Sequence, residues 1–203
     1  MTLSANDRKR ISAAIRAAEA RTSGEIVCVL AQSSSNSTTL PVFIAAIVAL
    51  ALPWLLVAAT ALAVERILSL QILVFVALCV LLCLPRARTA LVPRAVRRAV
   101  AHRAAMEQFE IRGIAKTTDR TGILIFVSQA ERYARIVADE GIAARVPQAR
   151  WQGAVDALTA HMRDGRIADG FVAAIEACAN ELAAHFPHTG ASRDELPNRI
   201  YLI

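Results

Sequence analysis

Between Leu40 and Val64 the chain carries no charged side chain for 25 residues. Thr60 and the ring nitrogen of Trp54 are the only polar side-chain groups in that run. About 20 apolar residues are enough to cross the hydrocarbon core of a bilayer as an α-helix. Pro53, in the middle of the run, predicts a kink, because proline removes a backbone donor and crowds the preceding turn. Glu65-Arg66 then interrupts, and Ile67–Leu84 follows with only Ser69 and Gln71 polar, ending at Pro85. Two spans separated by two residues read as a transmembrane helical hairpin over 40–85. Two buried core helices would need far more surrounding chain than 203 residues provide.

Composition agrees. Apolar residues make up 56% and charged residues 20%, with a mean hydropathy of +0.44. Soluble domains are roughly 45–50% apolar and about 25% charged. This balance excludes a disordered chain, a collagen-like repeat and a disulfide-stapled miniprotein. The opening Ser4-Ala5-Asn6-Asp7 and the charges after it do not form the apolar core of a leader peptide.

A net charge of +6 raises nucleic acid and anionic lipid as partners, and the placement of the charges separates them. Arg86, Arg88, Arg94, Arg97, Arg98 and Arg103 follow the hairpin with no acid before Glu107. Arg8, Lys9, Arg10, Arg16 and Arg21 precede it. Positive flanks stay in the cytoplasm. Both termini are therefore expected there, with the Glu65-Arg66 turn outside, in a multi-pass protein of the cell inner membrane. Arg86, Arg88, Arg94, Arg97 and Arg98 are the expected membrane-surface residues, against anionic headgroups. No aromatic pattern accompanies them, so no nucleic acid is expected as a partner.

The flanking segments read as one α/β body interrupted by the hairpin: 1–39 as its first part, 86–187 as its second, and 188–203 as a tail. Ser4 is placed to cap a helix over about 4–21, with Asp7 at its third position. Glu25–Leu30 reads as a buried strand and Gln32–Thr39 as a polar linker. A helix is expected from Pro93 to Ile111, ended by Gly113. Gly122–Ser128 reads as a central strand apolar on both faces, and Tyr133–Ala138 as its hairpin partner. Two more helices are expected, at about 149–162 and 167–185. Arg199–Ile203 either docks as a strand or lies loose. Few strands and several amphipathic helices give a layered α/β fold with a small mixed sheet.

Cys28, Cys79, Cys83 and Cys178 form no C-x-x-C and have no His at ligand spacing, so they read as small buried hydrophobes rather than a zinc site. No P-loop, G-x-G-x-x-G or G-x-S-x-G occurs, and His102, His161, His185 and His188 show no metal spacing. Chemistry is concentrated at one sheet end. Asp119, Arg120 and Thr121 lead into the central strand, and Asp139, Glu140 and Gly141 follow its antiparallel neighbour. Asp119, Asp139 and Glu140 could hold a divalent cation, calcium or magnesium, through oxygen ligands. Arg120 and Thr121 could hold a phosphate-bearing ligand. The competing reading makes Asp139 and Glu140 helix caps and pairs Arg120 with one of them. Glu131 and Arg132, in the turn at the other end, read as solvated or ion-paired.

Leu3–Asp7 and Arg21–Val27, then Arg120–Ser128, Ala130–Tyr133 and Ile136–Ile142, resemble TPM domains, the family of the TLP18.3, Psb32 and MOLO-1 proteins. His102-Arg103-Ala104 and Glu107-Gln108-Phe109 are similar to a membrane-hairpin branch of it. The resemblance covers roughly 1–31 and 93–187. It implies an α/β sandwich with a small mixed sheet, and phosphate-ester hydrolysis or divalent-cation binding in some members. The expected function is a membrane-anchored binding or scaffold module with a protein partner in or at the membrane. The alternative is a membrane-tethered, cation-dependent phosphatase-like hydrolase using Asp119, Asp139 and Glu140.

Overall fold

The computed structural model describes residues 3–34, 39–60, 62–83, 93–188 and 195–203. Two compact units result. One comprises residues 1–34 and 98–203, the other residues 35–97.

The first unit begins with α1 (Ala5–Glu19), whose N-cap is Ser4 as expected. The Ser4 hydroxyl accepts from the Asp7 backbone N–H, and the Asp7 carboxylate accepts from the Ser4 backbone N–H at 3.1 Å. Two of the four donors stranded at a helix start are thereby satisfied. The Ser4 hydroxyl also donates to Asp7 Oδ2 at 2.7 Å, and this bond first, then the one from the Ser4 backbone, holds the Asp7 carboxyl below its ordinary value. The chain then enters β1 (Glu25–Ala31), which is buried along its whole length.

After the apolar segment come α4 (Arg94–Ile111), β2 (Gly122–Ser128), β3 (Tyr133–Ala138) and a single turn, α5 (Glu140–Ala143). A 3-10 turn at Gln148–Trp151 leads into α6 (Gln152–Arg163), so the helix expected from 149 begins one turn later. Then come α7 (Ile167–His185) and β4 (Ile200–Leu202). Gly113 ends α4 in the left-handed region, φ +70°, where a side chain would strain the backbone.

The sheet order is β3-β2-β1-β4. β1 runs parallel to β2, with Val27 opposite Leu124 and Val29 opposite Phe126. β2 and β3 form the expected antiparallel hairpin, with Ile125 opposite Ile136. β4 lies parallel to β1, with Cys28 opposite Ile200. The end of the tail is therefore part of the folded unit. The first strand joins the later sheet across the insertion, so the unit forms only when both pieces meet.

Strand alternation sends side chains to two cores. Ile26, Cys28, Leu30, Ile123, Ile125 and Val127 pack with Ile11, Ile15, Trp151, Leu158, Phe171 and Leu182, under α1, α6 and α7. Val27, Val29, Leu124 and Phe126 pack with Ala105, Phe109 and Ile114, on the α4 side. Burial on both faces explains why β1 and β2 read as continuous apolar runs. Cys28 and Cys178 sit in the larger core. Burial pushes the Cys28 thiol well above its usual value, with Cys178 adding to it, and pushes Cys178 up to about 12.

The second unit holds α2 (Thr39–Ala59) and α3 (Val64–Cys83), which pack against each other. Both are long and apolar enough to cross a membrane. Glu65 and Arg66 lie in the first turn of α3 rather than in the connection between the helices. Pro53 lies inside α2 as expected. Ala45 and Ala49, one turn apart, are buried, as are Ile67 and Leu82 of α3. Small residues one turn apart let helix backbones approach closely. The large side chains point outwards instead: Phe43 is 61% exposed and Trp54 82%.

Candidate functional site

The sheet brings the expected residues to one end. Asp139 N donates to Gly122 O at 2.9 Å and Glu25 N to Thr121 O at 3.1 Å, so the segment before β2 is clamped between the start of β1 and the end of β3. Thr121 is buried, and its hydroxyl donates to Ser23 O at 3.1 Å. Arg120 has φ +52°, a conformation that non-glycine residues adopt rarely and at a cost.

That backbone turn places the Arg120 guanidinium across two carboxylates. Its Nη1 is 2.9 Å from Glu140 Oε2, and its Nε is 3.7 Å from Asp139 Oδ2. Asp139 also caps α5, with Oδ1 accepting from Glu140 N at 2.7 Å. Asp139 is only 3% exposed, and its Oδ2 has no hydrogen-bond partner. Asp119 is exposed. Thus Arg120, Asp139 and Glu140 form one cluster, with Asp119 in the adjoining loop. Among the described residues no group of three or more His, Cys, Asp and Glu side chains is arranged to hold a metal ion.

The acids around this end are engaged by backbone. Glu19 accepts from Ile26 N at 2.9 Å. Glu25, buried, accepts from the backbone of Glu195 and Leu196, each at 3.2 Å. Glu195 in turn accepts from the Thr118 hydroxyl at 2.6 Å. The end of the tail is thereby fastened to the loop before β2.

The opposite end holds a residue that sequence reasoning missed. Glu131, expected to be solvated or ion-paired, is 7% exposed. It accepts from Ser33 Oγ at 3.1 Å, from Ser34 N at 2.9 Å and from Ser128 Oγ. One carboxylate therefore joins the chain leaving β1 to the β2–β3 turn. Ser128, three residues before it, was the local signal; Ser33 is nearly a hundred residues away and leaves none.

Of the expected membrane-surface residues, Arg94 and Arg98 are exposed on α4 and Arg97 is half-buried. Arg86 and Arg88 lie outside the described residues. On the N-terminal flank Arg10 pairs with Asp169 at 2.7 Å and Arg21 with Glu176 at 3.0 Å, leaving Arg8, Lys9 and Arg16 exposed. His102 on α4 is half-buried, with an Nδ1 that has no hydrogen-bond partner.

The TPM domain family matches residues 88–181. That range takes in α4, β2, β3, α5, α6 and most of α7, while α1, β1 and β4 complete the same sheet from outside it. The solution structure of the BA42 protein of the psychrophilic bacterium Bizionia argentinensis is similar in fold, with a TM-score of 0.64 at 23% identity, over 100% of this chain and 97% of that one. No curated protein matches the chain. Residues 88–181 carry a TPM domain, and they share one sheet with the N-terminal segment.

Proposed function

We propose that this protein is a hairpin-anchored TPM domain at the cytoplasmic face of a bacterial-type inner membrane. It acts as a binding or scaffold module for a protein partner in or at that membrane. The observation that carries the anchor is the outward apolar surface of α2 and α3. Ile47, Leu50, Trp54, Leu55, Val57, Ile72, Leu73 and Val80 are all more than half exposed. An apolar patch of that size on a soluble protein would drive association, whereas a bilayer covers it without cost. The basic flanks, including Arg94 and Arg98 and the Arg86 and Arg88 positions, support anionic headgroups as lipid partners.

What favours binding over hydrolysis is the pairing at Arg120. One guanidinium already neutralises Glu140 and lies beside Asp139, and Asp139 spends an oxygen on the α5 cap. A calcium or magnesium ion held by Asp119, Asp139 and Glu140 would have to displace that cation.

The hydrolase is the second reading. The unbonded Asp139 Oδ2, beside a residue in a costly backbone conformation, is the observation in its favour. A phosphate-release assay on the full chain in detergent, with p-nitrophenyl phosphate and added magnesium or calcium, separates the two. The binding reading expects no release that Asp139→Asn abolishes. Release that depends on both the ion and Asp139 would replace it with the hydrolase. Site-specific photo-crosslinking from the exposed face of α4 in native membranes tests the partner. A discrete protein adduct is expected, and its absence from every exposed position would contradict the binding module.

A further inference from the structure

We propose that the outer edge of β4, unpaired among the described residues, is a docking groove for an extended, acidic peptide segment of a partner protein. This rests on the binding-module reading and names the chemistry of what is bound.

The two edges of the sheet are treated differently. On β3 the carbonyl of Ile136 is occupied, because Gln148 Nε2 donates to it at 3.0 Å from the 3-10 turn. That takes one outward acceptor of the β3 edge out of reach of an added strand. On β4 the inner side is spent on β1: Ile203 N donates to Leu30 O at 3.1 Å, and Gln32 N donates to Ile203 O at 2.8 Å. Backbone groups alternate sides along a strand. Tyr201 therefore also faces β1, and Ile200 and Leu202 turn their N–H and C=O groups away from the sheet.

Beside that edge lies an open groove of about 420 Å³, lined by Arg8 and Ser12 of α1 and by Arg199, Ile200, Tyr201 and Leu202. Its charged lining is two arginines and no acid. Arg8 is exposed, and among the described residues it forms no ion pair. Arg199 stacks over the Tyr201 ring at 4.8 Å, which keeps its guanidinium on this strand. Leu202 is 46% exposed. Main-chain pairing along an edge supplies affinity, and flanking side-chain contacts supply selection. Two arginines that form no ion pair among the described residues select carboxylates.

The test uses the full chain in nanodiscs of zwitterionic lipid. The probe is a fluorescently labelled octapeptide of alternating Glu and Val, read by anisotropy. Saturable binding is expected, weakened at least tenfold by Arg8→Glu with Arg199→Glu. Leu202→Pro should do the same, because it removes an outward donor while leaving the β1 pairing in place. The same peptide with alternating Lys should not bind. No binding of the acidic peptide, or equal binding by wild type and both variants, overturns the groove. Concentration-dependent dimerisation of the chain that Leu202→Pro abolishes would give the edge to a second copy, and overturns it as well. Crosslinking from α4 is independent of this strand, so loss of peptide binding with that adduct retained refutes the groove alone.

Discussion

Gly141 is pressed against the backbone of Arg120. A methyl group on Gly141 would stand 2.6 Å from the Arg120 carbonyl oxygen and 2.8 Å from that of Asp119. Those atoms belong to the loop that feeds β2, and they cannot swing aside as a side chain can. The same loop carries Arg120 at φ +52° and its ion pair to Glu140 at 2.9 Å.

Gly141→Ala should therefore destabilise the folded unit by about 1–3 kcal/mol, as overpacking against rigid atoms does. Hydrogen exchange of the full chain in detergent gives the local readout. The Asp139 amide, which donates to Gly122 O, should lose protection before those of β1. Unchanged protection there would show that the loop accommodates the methyl group.

Glu131 should matter more than its place in a turn suggests. Glu131→Ala leaves Ser128 Oγ and Ser34 N without the acceptor they share, and an unmet buried hydrogen bond costs about 1–3 kcal/mol. Thermal unfolding followed by near-UV circular dichroism should show the loss, with Glu131→Gln retaining part of the stability. A midpoint equal to wild type in both variants would make the carboxylate dispensable.

The two buried thiols make a pH prediction. In the unfolded chain a thiol ionises near the reference value of 9.0, whereas Cys178 in the fold does so at about 12 and Cys28 is also raised well above 9.0. Above pH 9 the unfolded state releases protons that the folded state keeps, so stability falls as pH rises through that range. At neutral pH both groups remain thiols, and iodoacetamide should label Cys28 and Cys178 only on unfolding. Labelling of either in the native chain would place it outside the core.

Much of this architecture was legible because local pattern and burial coincide. Gly122–Ser128 and Tyr133–Ala138 are strands over the residues their patterns mark, and Ser4 with Asp7 caps α1 through neighbours three residues apart. The apolar helices follow from composition alone, although Glu65 and Arg66 continue α3 instead of breaking it. What sequence could not show depends on distant partners. Glu25 is buried because residues 195 and 196 donate to it, and Glu131 because Ser33 does. The docking of Ile200–Leu202 depends on an edge of β1 left free by the order of the sheet. At the candidate site the pairing of strands put Arg120 and Asp139 at one sheet end from spacing alone. The positive φ of Arg120 has no signal in a residue type that seldom adopts it.

The anchor is tested most directly by mapping sidedness in intact cells. A reporter active only outside the cytoplasm is fused to each terminus in turn and inserted in the α2–α3 connection, between Leu62 and Ala63. The expected result is activity from the insertion alone, with both terminal fusions silent. Activity from one terminus but not the other would put the halves of the sheet on opposite sides of the bilayer, where β1 could not pair with β2, and would contradict the account.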